Sequence, residues 1–213
     1  MKLFLKKITP LHALYLILLR YYRRVRDKIV IPSYATKRKI ILAIADKYKI
    51  AKVFVETGSY MGDTIDSWKN NFERLYSIEL NQDLASRVIR RFVDFPHITI
   101  IQGDSALQLS SILSSIETPI LFWLDGHYSS EFKIGNEFIV TSRGEKNTPI
   151  LEELIQISEH KIKNHLILID DAREFNGTNE YPHLSLIKEF VRKKMPTHRL
   201  IVKTDIIRIL PLQ

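Results

Sequence analysis

Six carboxylates in this chain stand where an apolar run gives out. Val53-Phe-Val runs into Glu56, Leu75-Tyr-Ser-Ile into Glu79, and Ile120–Leu124 into Asp125. Ile98–Ile101 stops just short of Asp104, and His165–Ile169 ends at the pair Asp170-Asp171. Short continuous apolar runs are what strands covered on both faces look like. In an open α/β sheet the ligand site lies beyond the carboxyl ends of the strands, so all six acids are expected at one edge. Singly, each also fits a helix cap or a hydrogen-bonded turn. Gathered together, they repel one another unless cations or hydrogen-bond donors compensate. Such an edge repels a pyrophosphate and accepts a positively charged ligand that carries hydroxyls. Glycine accompanies three of the acids, as Gly58, Gly103 and Gly126. Glu56-Thr-Gly-Ser-Tyr-Met-Gly62 reads as a tight loop that opens a helix. Glycine there lets the backbone turn sharply and come close to a ligand, and the helix start offers free N–H groups. The spacing is not the G-x-G-x-x-G of dinucleotide sites.

The elements that must position these acids alternate. Helical spacing predicts helices over Tyr34–Lys49, Asp63–Asn71, Asp83–Val93 (with Asn81 as cap), Ala106–Ser115 and Ser185–Lys194. Another is predicted from Thr148 as cap, with Pro149 first and Glu152 and Glu153 in the opening turn, to about Lys163. The apolar runs Arg199–Lys203 and Ile206–Leu210 are separated only by Thr204 and Asp205, a link that permits only an antiparallel pair. The expected fold is α/β: a doubly wound, mostly parallel seven-stranded sheet closed by a C-terminal antiparallel hairpin. Between Gly126 and Asn147 no period is visible, and so long a connection marks a functional or mobile loop.

No cysteine is present, which excludes disulfides and thiolate metal sites and makes the cytoplasm the expected compartment. The net charge of +8 is unevenly spread: residues 1–50 hold 13 Lys or Arg against Asp27 and Asp46, while the remainder holds 19 against 22 acids. Residues 1–35 therefore read as a basic amphipathic arm and 36–213 as the main domain. The apolar stretch Leu11–Leu19 is far too short to span a bilayer, which needs about 20 residues. With Tyr21, Tyr22 and the flanking arginines, residues 1–30 fit a helix lying at a membrane surface. Alternatively the arm packs on the body or on a partner subunit of a homo-oligomer. A basic-then-apolar order also fits a signal peptide, but no small-residue cleavage site follows. No nucleic-acid-binding module is recognisable.

The order of these motifs resembles a class I S-adenosylmethionine-dependent methyltransferase. The resemblance covers about residues 36–213. It implies that Glu56, Gly58, Ser59 and Gly62 hold the methionine part of the cofactor, that Glu79 binds the ribose hydroxyls, and that Asp104 and Ser105 lie near the adenine. The terminal hairpin is also a mark of that superfamily. Gly58-Ser-Tyr-Met-Gly62 has one glycine fewer than the commonest form of its loop.

Trp123-Leu-Asp-Gly-His127 and Leu168-Ile-Asp-Asp-Ala172 look like the macrocin-type sugar O-methyltransferases. That likeness implies a metal held by Asp125, Asp170 and Asp171, and three carboxylates with room for water suit Mg²⁺. Those enzymes often carry an aromatic residue where this chain has Ala172, and His127 is not fixed among them. His127 is the candidate base for the acceptor hydroxyl, with Asp125 second. Arg173 and Arg143 stand in loops where they could grip an anionic acceptor. His165, at a strand start, is expected to be structural. The acceptor implied is a small molecule or glycan. Protein, lipid or nucleic-acid acceptors are the alternative, and so is a non-catalytic protein that keeps the fold.

Overall fold

The computed structural model describes residues 31–126, 131–134, 137–140 and 147–212. Residues 1–30 of the arm, His127 and Arg143 lie outside them, while Tyr34 and Ala35 of the expected arm open the first helix. The first described helix, α1 (Tyr34–Tyr48), starts at Ser33, whose side chain accepts from Thr36 N, and ends at Lys49 in a left-handed conformation. After it come β1 (Val53–Thr57), α2 (Asp63–Trp68), β2 (Arg74–Glu79), α3 (Gln82–Arg91), β3 (Ile98–Gln102), α4 (Ser105–Ser114) and β4 (Ile120–Leu124). A short pair, β5 (Glu131–Ile134) and β6 (Glu137–Val140), precedes α5 (Ile150–Glu159) and β7 (Leu166–Ile169). A 3₁₀ turn at Ala172–Glu174, α6 (Leu184–Lys194), β8 (His198–Lys203) and β9 (Ile206–Pro211) complete the order.

Seven strands form one sheet in the order β3-β2-β1-β4-β7-β9-β8. The first five are parallel, and β9 lies antiparallel between β7 and β8. This is the expected doubly wound architecture. The two-residue link between β8 and β9 works because Thr204 and Asp205 both take positive φ (55° and 56°), as a tight hairpin turn requires. Three expectations need correction. Pro149, not Thr148, is the N-cap of α5. The stretch after Gly126 is not wholly irregular, since β5 and β6 pair within it. The helix expected to reach Lys163 stops at Glu159, because His160 turns to an extended conformation (ψ 142°).

Side chains alternate across a strand, so each strand feeds two cores. Val53, Val55, Phe122, Leu124, Ile167 and Ile169 pack against α4, α5 and α6. Phe54, Leu75, Leu121, Trp123 and Leu168 pack on the other side, against α1, α2 and α3.

His165 is structural, as expected, and its partners show why. Ile120 N–H donates to His165 Nδ1 at 3.1 Å, which leaves the ring proton on Nε2. That proton reaches His160 Nδ1 at 2.9 Å, and His160 Nε2 in turn donates to Ile116 O at 3.0 Å. His198 Nε2 caps the His165 carbonyl at 3.1 Å. Burial, and then the neighbouring His160 and His198, push His165 down to about 3. An unfolded histidine takes a proton near 6.5 while the folded one resists it. This contribution to stability is therefore complete above pH 6.5 and is lost as pH falls toward 3. Between pH 6.5 and 4 the loss is expected to be about 2–3 kcal/mol by urea titration. His165→Asn, whose amide oxygen can still accept from Ile120, should lose clearly less over that interval. Equal losses would assign the acid sensitivity to other groups.

Candidate functional site

The register of the strands decides which acids meet. Glu56 stands opposite Ser77 on β2 and Trp123 on β4, and Trp123 stands opposite Leu168 on β7. All of them point to the α1 side of the sheet. Glu79 continues that face on β2. Asp125 and Asp170 continue it two residues beyond Trp123 and Leu168. Four of the six acids thus leave the sheet at one end of one face.

The loop after β1 is built on alternating left-handed residues, with φ of +88° at Gly58, +48° at Tyr60 and +80° at Gly62. At Gly58 a Cβ would lie 2.7 Å from the carbonyl oxygen of Asp125, so the loop presses on the end of β4 at a point where no side chain fits. Gly62 is glycine for a different reason: a Cβ there would meet Phe92 and Val88 at 2.9 and 3.0 Å. The structure thus places Gly62 against α3. Glu79 fastens this loop, accepting from Tyr60 N at 2.8 Å with one oxygen and from Asn81 N at 2.9 Å with the other. Burial raises its pKa, against the pull of those backbone donors.

Glu56 lies beneath the loop and is only 1% exposed. Ser77 Oγ donates to its Oε2 at 2.7 Å, and Ser59 Oγ lies 2.5 Å from Ser77 Oγ. Thr64 adds a further hydroxyl, itself bonded to Tyr34 of α1. Desolvation pushes the Glu56 carboxyl up to about 8, and the charges of Asp125 and Glu79 add to it. At neutral pH this carboxyl is mostly protonated.

A corner of different character forms at Asp170-Asp171. Lys37, projecting from α1, donates to Asp170 Oδ2 and lies 3.4 Å from Asp171 Oδ1. Asp171, left-handed at φ +52°, gives its N–H to Asp170 Oδ1 at 2.8 Å and takes Arg173 Nη1 on Oδ1, also at 2.8 Å. Arg173 is in turn held by both oxygens of Asp205. Burial pulls the Lys37 ammonium down, but the hydrogen bond and charge of Asp170, and then the charge of Asp171, more than reverse this. It stays charged. Burial and Asp171 push Asp170 up in spite of Lys37. Two of the three expected metal ligands, Asp170 and Asp171, are therefore paired with an ammonium and a guanidinium, and this donor set does not fit a resident Mg²⁺. Among the described residues no group of three His, Cys, Asp or Glu is arranged to hold a metal.

Asp104 takes the helix-cap role: its carboxylate accepts from Ala106 N at 2.9 Å at the start of α4. Ser105 Oγ is directed elsewhere, donating to Glu153 Oε1 at 2.6 Å. Glu153 on α5 is only 1% exposed, and burial pushes its carboxyl up to about 7 against hydrogen bonds from Ser105 and Thr57. It faces a cavity of about 10 Å³, the room of a single water, shared with Gly126, Thr148, Phe175, Tyr181 and Asp170.

Sequence reasoning missed Lys37, Glu153 and the pair Ser77 and Thr64. One signal for Glu153 was present: Ile150, Glu153, Leu154 and Ile157 share a helix face, so an inward carboxylate could have been read from spacing. Nothing local marks Lys37.

The seven-stranded sheet with an antiparallel strand inserted beside its C-terminal edge, over acid-ended β1 and β2, is the fold of the class I S-adenosylmethionine-dependent methyltransferases. Solved structures of that kind align along nearly the whole chain. They include a methyltransferase of Podospora anserina bound to S-adenosylhomocysteine (14% identity, 100% of this chain and 99% of that one, TM-score 0.56). An O-methyltransferase of Streptomyces achromogenes involved in tomaymycin synthesis, in complex with S-adenosylmethionine, aligns over 90% of this chain and 86% of its own (14% identity, TM-score 0.55). A methyltransferase of Geobacter sulfurreducens aligns over 93% and 89% (12% identity, TM-score 0.51). Identities this low establish the shared fold alone. Comparison with protein-family profiles and with curated protein sequences gives no match.

Proposed function

We propose that the chain is an S-adenosylmethionine-dependent methyltransferase acting on a hydroxyl oxygen of a sugar or another small acceptor. One observation carries this reading: among the described residues the acids at the ends of β1, β2 and β3, Glu56, Glu79 and Asp104, have no Lys or Arg partner. An edge of that kind suits a cationic, ribose-bearing ligand and disfavours a phosphate. Gly58 leaves the ledge that such a ligand needs, since any Cβ there would strike Asp125 O.

When bound, the cofactor supplies an electrophilic methyl group. The chain supplies the rest. Glu79 would accept from the ribose hydroxyls, and the loop from Gly58 to Gly62 would hold the methionine part. His127 is the base that would take the proton of the acceptor hydroxyl, with Asp125, at the mouth of β4 beside Gly58, as the second candidate. The choice of a hydroxyl acceptor rests on the likeness of Trp123–His127 and Leu168–Ala172 to sugar O-methyltransferases. Mg²⁺ has no part in this reading, because Lys37 and Arg173 already pair with Asp170 and Asp171.

Calorimetric titration with S-adenosylmethionine at pH 7 tests the reading. One site per chain is expected, with proton release, because a cation beside Glu56 lowers a carboxyl that starts near 8. Two buffers of different ionisation enthalpy reveal the released proton. Absence of saturable binding would end the proposal. Asp125→Asn should hold cofactor affinity within about threefold while removing methyl transfer.

A further inference from the structure

We propose that Lys37 is a built-in replacement for a divalent ion: its ammonium occupies the corner between Asp170 and Asp171 that a metal would need, and makes this site metal-independent. The inference deepens the methyltransferase reading and, for its catalytic meaning, rests on it. The geometry that supports it does not.

Three observations converge. First, the placement is set by the fold. Asp170 leaves β7 on the face that α1 covers, and α1 is anchored over the strand ends by two neighbours of Lys37. Tyr34 bonds to Thr64, and Arg38 donates to Asp63 O at 3.1 Å. A lysine one turn from Tyr34 is thereby aimed at the sheet edge. Second, the contacts are those of a shared cation. One Nζ serves Asp170 Oδ2 and Asp171 Oδ1 together, with the Lys37 and Asp170 side chains only 14% and 3% exposed. Third, the same two carboxylates are engaged further. Asp170 Oδ1 accepts from Asp171 N, and Asp171 Oδ1 also takes Arg173. A divalent ion would have to displace an ammonium and part of a guanidinium before it met two carboxylates.

The physical consequence is a fixed monovalent charge where a divalent, exchangeable one would sit. An ammonium carries three N–H donors. Two are directed at the aspartates, and the third is available to an acceptor oxygen as it gives up its proton. Lys37 would thus hold the acceptor oxygen electrostatically, as a metal does, but with less charge and no dependence on ion supply.

Mn²⁺ provides the probe, because its paramagnetic resonance signal is lost on binding and its titration needs neither cofactor nor acceptor. The whole wild-type chain is expected to show no saturable Mn²⁺ binding below about 1 mM. Lys37→Met removes the ammonium at similar volume and leaves Asp125, Asp170 and Asp171 without it. It should gain Mn²⁺ affinity by at least about tenfold, since Asp170 then loses its cation and Asp171 keeps only Arg173. Lys37→Arg keeps the charge and should stay blind to Mn²⁺, and Lys37→Met/Asp170→Asn should lose the gained site. Circular dichroism and thermal melts confirm that each variant folds. Tight Mn²⁺ binding by the wild type, or a folded Lys37→Met that gains none, would overturn the proposal. If Lys37→Met does not fold, the wild-type titration alone still decides it. Failure to bind S-adenosylmethionine would strike the proposed function and leave this result untouched.

Discussion

Glu79→Ala is expected to weaken S-adenosylmethionine binding about 100-fold, or about 2.7 kcal/mol. The carboxylate works on two sides. Inward, its oxygens accept from Tyr60 N and Asn81 N and so fix the left-handed residue at the centre of the loop. Outward, the carboxylate would accept from the ribose hydroxyls of the proposed ligand. A hydrogen bond to a charged group contributes about 1.5–3 kcal/mol, so losing the outward bonds alone accounts for the expected change. Glu79→Gln keeps one acceptor oxygen and the shape, and should fall between the two, near tenfold. Calorimetry on all three proteins checks the order. An alanine variant that melts like the wild type and binds within threefold of it would remove Glu79 from the cofactor site.

Gly58→Ala is expected to cost about 3 kcal/mol or more of stability. A left-handed backbone costs a non-glycine residue about 1–2 kcal/mol, and Gly58 sits at φ +88°. Overlap adds to this, because the new methyl would stand 2.7 Å from a backbone oxygen of β4, which has no rotamer by which to move aside. Gly62→Ala provides the comparison. Its φ is +80°, but the atoms it would strike belong to the side chains of Phe92 and Val88. These can shift, so a smaller loss of about 1–2 kcal/mol is expected. Urea titration of the two variants separates the cases. Equal losses would mean that the approach of the loop to β4 is not the constraint described here.

Much of this arrangement was legible before any coordinates. Period and punctuation sufficed for the strands, because each parallel strand is a short apolar run ended by an acid, and for the hairpin at Thr204-Asp205. Gathering Glu56, Glu79, Asp125 and Asp170 needed only the rule that strand ends share an edge. What the sequence did not carry were long-range pairings. Lys37 looks like any solvated lysine on an amphipathic helix, and its partners are more than 130 residues away. Asp104 and Glu79 are alike as acids after apolar strands, yet one caps a helix and the other fastens a loop. That difference depends on whether the strand ends at the acid or two residues before it. Glu153 looked like an ordinary first-turn acid, and only its helix face separates it from Glu152. The cation beside Asp170 and Asp171 is hidden for a similar reason: it comes from α1, which is remote in sequence.

The insertion of β9 between β7 and β8 has a consequence for how the molecule is made. A chain emerging from its N-terminus reaches β8 before β9, yet β8 has no partner in the sheet until β9 has slipped in beside β7. Ile207 and Ile209 of that strand are fully buried, so the inner wall of the sheet stays open until it arrives. The nascent protein must therefore keep an apolar strand edge on β7 exposed from the making of β7 until β9 follows it. During that interval it is a natural client for a chaperone, and a block in translation just past β8 would release a product that cannot close.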